Sequence, residues 1–167
     1  MGLETWELLS YIVTVVALPA AIIAFIIEKR HERDAAEEGV HQLLSDNYQD
    51  FLKTALENPD LSLFSTQPKP ELTPEQRERK VIIFSVLVSI FERAYVLMFE
   101  RRMSKAQSRR WTAWEDYMRE WCRREDFRNS LPTLLPGEDE EFANYMRGLV
   151  GQVASAAPGH AASTRAP

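Results

Sequence analysis

The feature that constrains this chain most is an uncharged run near its start. From Leu8 to Ile27, twenty consecutive residues (LLSYIVTVVALPAAIIAFII) carry no Asp, Glu, Lys or Arg. As a helix rising about 1.5 Å per residue, the run covers about 30 Å, the thickness of a bilayer's hydrocarbon core. A cleaved signal peptide would want positive charge before the apolar stretch and a small-residue cleavage site after it. Here Glu4 and Glu7 come before, and Lys29, Arg30 and Arg33 come after, which is the order of a stop-transfer segment. Because Lys and Arg stay on the cytoplasmic flank, the expected topology is single-pass in the cell inner membrane, N-terminus outside and C-terminus cytoplasmic. Residues 1–27 then form the N-terminal segment and transmembrane helix, and the first partner is the lipid bilayer.

Within the run, Ser10, Thr14, Ala17, Ala21 and Ala24 recur at steps of four, three, four and three. That spacing keeps one narrow stripe of small side chains on a helix face. In lipid, helices associate by close packing, and small residues let backbones approach. The stripe is a candidate self-association seam or the lining of a small oligomeric pore. The alternative is that alanine is simply common in such helices.

The remaining chain is expected to be all-α: a cytoplasmic helical domain over 28–152, a bundle of about four helices, and a disordered small-residue tail over 153–167. The chain of 167 residues, 45% hydrophobic and 27% charged, has the composition of an ordinary folded protein. A net charge of −5 gives no sign of bulk nucleic-acid affinity, and the single cysteine, Cys122, excludes an intrachain disulfide. The first helix is read from Glu28 to Leu56, ended by Asn58-Pro59-Asp60, since proline restrains its predecessor from helical geometry. Thr73-Pro74-Glu75-Gln76 is a helix start with a capping box. The apolar run of eleven from Val81 to Phe91 that follows reads as a central bundle helix, too short for a second span and interrupted by Glu92 and Arg93, with a re-entrant or pore-associated segment as the alternative. Trp111, Trp114, Met118 and Trp121 mark the core face of a helix over 104–126. A last helix starts near Gly137, with Glu138 to Glu141 favoured at its positive end.

Chemistry is sparse. His31, His41 and His160 are too scattered to make a zinc site with Cys122, and no phosphate loop, GxSxG or HExxH motif occurs. The spacing of arginine and histidine used by helical defence ribonucleases is also missing. The expectation is no enzyme, no metal and no cofactor. The most basic stretch, Glu100 to Arg128, holds nine Lys or Arg against six acids. Its arginines Arg109, Arg110, Arg119, Arg123 and Arg124, with tryptophans between, are a candidate surface for a cytosolic protein partner, or for a nucleotide or RNA. The competing expectation is that the tryptophans are core and the acids pair with the bases. Glu92 and Arg93, inside so apolar a helix, are candidates for buried ion pairs with the tryptophan helix or across a subunit boundary, since an unpaired buried charge is costly.

One N-terminal span, a basic collar, an Asn-Tyr-x-x-Phe helix (Asn47, Tyr48, Phe51), a Pro-rich turn, a long apolar helix and a Trp-x-x-Trp helix (Trp111, Trp114, Trp121) ending in Phe127-Arg128 follow one another. In this the chain resembles the small single-span bacterial membrane proteins grouped in families of unknown function, over most of residues 5 to 150. The resemblance implies no catalytic residues. In architecture alone it is similar to membrane accessory proteins of RNA-targeting CRISPR and other phage-defence systems, some of which assemble into rings and permeabilise the membrane. The expected function is a homo-oligomeric membrane effector that perturbs the bilayer or forms a pore, in a defence or stress response. The rivals are a tethered scaffold or adaptor and a nucleotide or RNA sensor, both using the basic tryptophan helix.

Overall fold

A computed structural model describes residues 17–65 and 71–156, and among these it is all-helical with no strand. The elements are α1 (Leu18–Glu57), a 3-10 turn (Pro59–Leu61), α2 (Pro74–Met98), α3 (Lys105–Arg123), α4 (Glu125–Leu134) and α5 (Glu140–Ala156). The chain divides into two compact units between Leu43 and Leu44.

The first unit contributes the N-terminal half of α1. Its large apolar side chains (Leu18, Ile22, Ile23, Phe25, Ile26 and Ile27) are all 46% or more exposed. Just beyond them, Lys29 and Glu32 pair at 2.7 Å on the helix surface. The helix expected to start at Glu28 is therefore continuous with the described part of the uncharged run.

The second unit holds the core. α2 opens as its sequence requires: the Thr73 hydroxyl accepts from the Gln76 N–H at 3.2 Å, and the Thr73 N–H donates to the Gln76 side chain at 2.9 Å, with Pro74 at the first helical position. Ser104 and Gln107 repeat this box at the start of α3. Asp139 caps α5 by accepting from the Phe142 N–H at 2.9 Å.

Packing is organised by aromatic rings. Trp121 of α3 lies 5.6 Å from Phe51 of α1, 5.9 Å from Phe84 of α2, 5.7 Å from Phe127 of α4 and 5.1 Å from Phe64 of the connecting loop. One turn pair earlier, Trp114 meets Tyr48 edge-on at 6.0 Å. At the start of α3, Trp111 packs on Tyr95, Phe99 and Tyr145. Such edge-to-face contacts add about 0.5–1.5 kcal/mol each beyond the area they bury. The Asn-Tyr-x-x-Phe and Trp-x-x-Trp segments thus face each other, and both are structural.

Two differences from the sequence reading stand out. The helix expected over 104–126 ends at Arg123, and a separate α4 follows. Arg124 breaks the helix by taking an extended conformation (φ −80°, ψ 125°). The carbonyls left over at the end of α3 are taken by Arg128, which donates to Cys122 O at 2.8 Å and Arg123 O at 2.6 Å. The last helix begins at Glu140 rather than near Gly137, whose φ of +108° belongs to the turn before it. It runs on to Ala156, past the Val153 boundary expected for the tail; residues 157–167 lie outside the described part.

Phe84 is fully buried, whereas Ile82 is 56% exposed on the other side of α2. Phe84→Ala should therefore cost about 3–5 kcal/mol of unfolding free energy. Ile82→Ala should cost well under about 1 kcal/mol. Denaturant unfolding of the two variants in parallel checks the orientation of α2.

Candidate functional site

The most concentrated charge chemistry lies where α2, α4 and the connecting loop meet. Lys80 is the single buried charged residue of the described core, 5% exposed. Its ammonium sits 2.6 Å from the Asp126 carboxylate, 3.4 Å from Leu61 O, and 5.6 Å over the Phe84 ring. Asp126 also takes Arg124 at 3.2 Å. Arg124 in turn reaches Ser62 O and Ser65 O, both at 3.4 Å, and lies 5.5 Å over the Trp121 ring. Beside this, Arg79 binds Asp60 at 2.9 Å and Asn58 at 3.1 Å, while Gln76 donates to Asp60 at 3.0 Å. Every strand of this network holds the loop that follows α1. A cavity of about 410 Å³ opens over it, lined in part by Arg77, Lys80, Asp126 and Ser130.

Glu92 and Arg93 are the candidates for ion pairs with the tryptophan helix or across a subunit boundary. Arg93 is exposed and Glu92 half-buried. Glu92 accepts the Asp139 N–H at 2.5 Å and shares a hydrogen bond with the carboxyl of Glu138, which also meets Ser89. Two carboxyl groups can bond to each other only if one keeps a proton. Burial, with Glu92 beside it, accordingly raises the Glu138 pKa from 4.5 to about 7.

The basic tryptophan helix does not present its rings. Trp111, Trp114 and Trp121 are buried. Arg119 pairs with Glu115, Arg123 with Glu120, and Arg124 with Asp126. Arg109 is exposed and Arg110 half-buried. The tryptophan rings offer no face here to stack on, though Tyr117 on the same helix is exposed, and Arg119, Arg123 and Arg124 already have carboxylate partners. Cys122 is buried too, its thiol pushed up to about 12 by desolvation, which disfavours the thiolate. Among the described residues no group of three or more His, Cys, Asp or Glu is placed to hold a metal.

What remains is apolar surface. Of the candidate seam, Ser10 and Thr14 lie outside the described residues; Ala17, just before α1, and Ala21 and Ala24, within it, are exposed. Among the described residues α2 is the one helix long and apolar enough to cross a membrane by length and composition, with a mean hydropathy of 2.0 in its most apolar 18-residue stretch, of which 44% is buried. The run of eleven from Val81 is by itself too short to span, but Glu92 and Arg93 are the only charges in α2 between Val81 and Met98. Its unburied side shows Ile82, Val86, Val96 and Leu97. A groove of about 410 Å³ separates this side from α1, with Asn47, Asp50 and Thr54 on one wall and Ser85, Ser89 and Arg93 on the other.

No protein-family model, no curated protein and no solved structure matches the chain significantly.

Two tests follow from the charges. Asp126→Asn leaves Lys80 buried without its counter-charge, and should lower stability by about 3 kcal/mol or more in denaturant unfolding. Glu138 is held in its protonated form by the fold, so its contribution is complete below the ordinary value near 4.5 and lost as pH rises through about 7. Glu138→Gln should therefore raise the Tm relative to the parent at pH 8 and leave it unchanged at pH 4, as followed by circular dichroism.

Proposed function

We propose that the chain is a homo-oligomeric single-pass membrane protein, N-terminus outside and helical domain in the cytoplasm, whose output is perturbation of the bilayer or a pore. The observation that carries this is the uncharged Leu8–Ile27 run, flanked by acids before and bases after, whose described part is a helix with its large apolar side chains turned outward. Six such side chains in water would be a strong aggregation surface. In hydrocarbon they are at home, and the backbone bonds of a helix are satisfied internally.

Self-association is supported by the small-residue stripe through Ala17, Ala21 and Ala24, exposed on the same helix, and by the exposed face of α2. The scaffold and sensor readings lose their main support, because the tryptophans that would grip a partner or a base are spent inside the fold. A role in defence or stress response rests on architectural likeness and belongs to this proposal alone.

The full chain, expressed in bacteria, should stay with membranes through a carbonate wash. In detergent its light-scattering mass should be a multiple of the 19.3 kDa chain. The double variant Ala17→Leu with Ala21→Leu should lower that mass and reduce dye leakage from loaded vesicles. Release by carbonate would overturn the membrane assignment; a monomeric mass would overturn the assembly.

A further inference from the structure

The exposed side of α2 has a charge and size pattern that points to one occupant. Glu78, Ile82, Ser85, Ser89 and Arg93 follow one another at steps of three and four, with Val86 beside Ser85 and four residues from Ile82, so they form a single band along the helix. The band is acidic at one end and basic at the other, apolar beside small in the middle. Glu78, Ile82, Val86, Ser89 and Arg93 are exposed and Ser85 is half-buried. Neither Glu78 nor Arg93 has an ion-pair partner among the described residues. The Ser85 hydroxyl is already satisfied, donating to Ile82 O of its own helix at 2.7 Å. It therefore offers a small surface and no unmet polar demand.

We propose that this face is the contact between two copies of the chain, their α2 helices running antiparallel about a two-fold axis that passes between Ser85 and Val86. This deepens the reading of the chain as self-associating and rests on it. In that register Glu78 lies opposite Arg93 of the partner subunit, and the symmetry makes the same pair a second time. Ile82 lies opposite Ser89 of the partner subunit, large against small, and Ser85 opposite Val86 of the partner subunit. The serines, one turn apart, let the helices approach closely. A parallel, in-register pair would instead set Glu78 against Glu78 and Arg93 against Arg93. It would leave each charge about 22 Å along the helix from its complement. Lipid is a poorer occupant, because the same band would carry two charges and a serine into hydrocarbon. The groove wall on α1, with Asn47, Asp50 and Thr54, adds a polar rim of the kind that surrounds protein interfaces.

The test uses the full chain in detergent and in nanodiscs, with Cys122 buried and out of reach of cross-linkers. Ser85→Cys should cross-link to itself with a short bis-maleimide. Glu78→Cys alone and Arg93→Cys alone should not, but the two mixed together should give a dimer band. Glu78→Arg or Arg93→Glu should each weaken dimerisation by about tenfold or more at low salt, since like charges then oppose twice. Combining both substitutions should restore it, which also shows that the single variants fold. Self-cross-linking of Glu78→Cys would overturn the antiparallel register in favour of a parallel one. If the protein is oligomeric but none of these positions cross-links, this face is not the contact, though the proposed function stands. A Ser85→Cys thiol shielded from aqueous maleimide only in nanodiscs would assign the face to lipid and overturn the proposal. A monomer under all conditions would sink both readings.

Discussion

The Lys80–Asp126 ion pair is the constraint from which much of the second unit follows. An ammonium this deeply buried is tolerable only with a counter-charge in contact and its remaining protons satisfied. At 2.6 Å Asp126 supplies the first, and Leu61 O with the face of Phe84 supplies part of the second. To put Asp126 there, α4 must begin where it does, and α3 must therefore stop at Arg123. Arg124, extended at the junction, points its guanidinium back at Asp126 and across to the carbonyls of Ser62 and Ser65. Ser62 itself sits in the left-handed region (φ 50°), its N–H closing the short turn onto Pro59 O at 3.1 Å. One buried cation thereby fixes a helix boundary and the path of a loop that carries Leu61, Leu63 and Phe64 to the aromatic cluster.

That cluster is where the tryptophans of the basic helix are spent. α3 puts its three buried tryptophans on one side, and each is matched by rings from other elements: Tyr48 and Phe51 from α1, Phe84 and Tyr95 from α2, Phe127 from α4, Tyr145 from α5. Stacking a nucleobase between them would require the bundle to open. On the outward side, i to i+3 and i to i+4 partners neutralise Arg123 and Arg119. Such exposed pairs contribute little to stability.

The sequence disclosed what depends on neighbours in the chain. The capping box at Thr73 and Gln76, the stop at Asn58-Pro59, the tryptophan face of α3 and the all-helical class are local matters of spacing and propensity, and each was legible. The break at Arg124 was not, because the carbonyls that hold it lie 59 and 62 residues away. Nor was the burial of Lys80, since lysine at the start of a helix ordinarily reads as surface. Glu92 was recognised as needing a partner, but the nearest opposite charge in sequence, Arg93, points outward. A carboxyl group from the turn before α5, 46 residues on, took the place that a base was expected to fill.

The same logic bears on what the fold leaves unsatisfied. A soluble helix hides one stripe and shows polar residues elsewhere, and α3 does this. α1 before Glu28 and α2 along the Ile82–Val86 side do not: both keep large aliphatic side chains outward. The two surfaces nonetheless differ in kind. The first has no charge over its length, so hydrocarbon satisfies it with no further arrangement. The second mixes aliphatics with Glu78, Ser89 and Arg93, a composition that hydrocarbon accommodates poorly. A surface carrying complementary charge at matching spacing would pair the charges and cover the aliphatics together. Because the band is acidic at one end and basic at the other, its own copy turned end for end is such a surface.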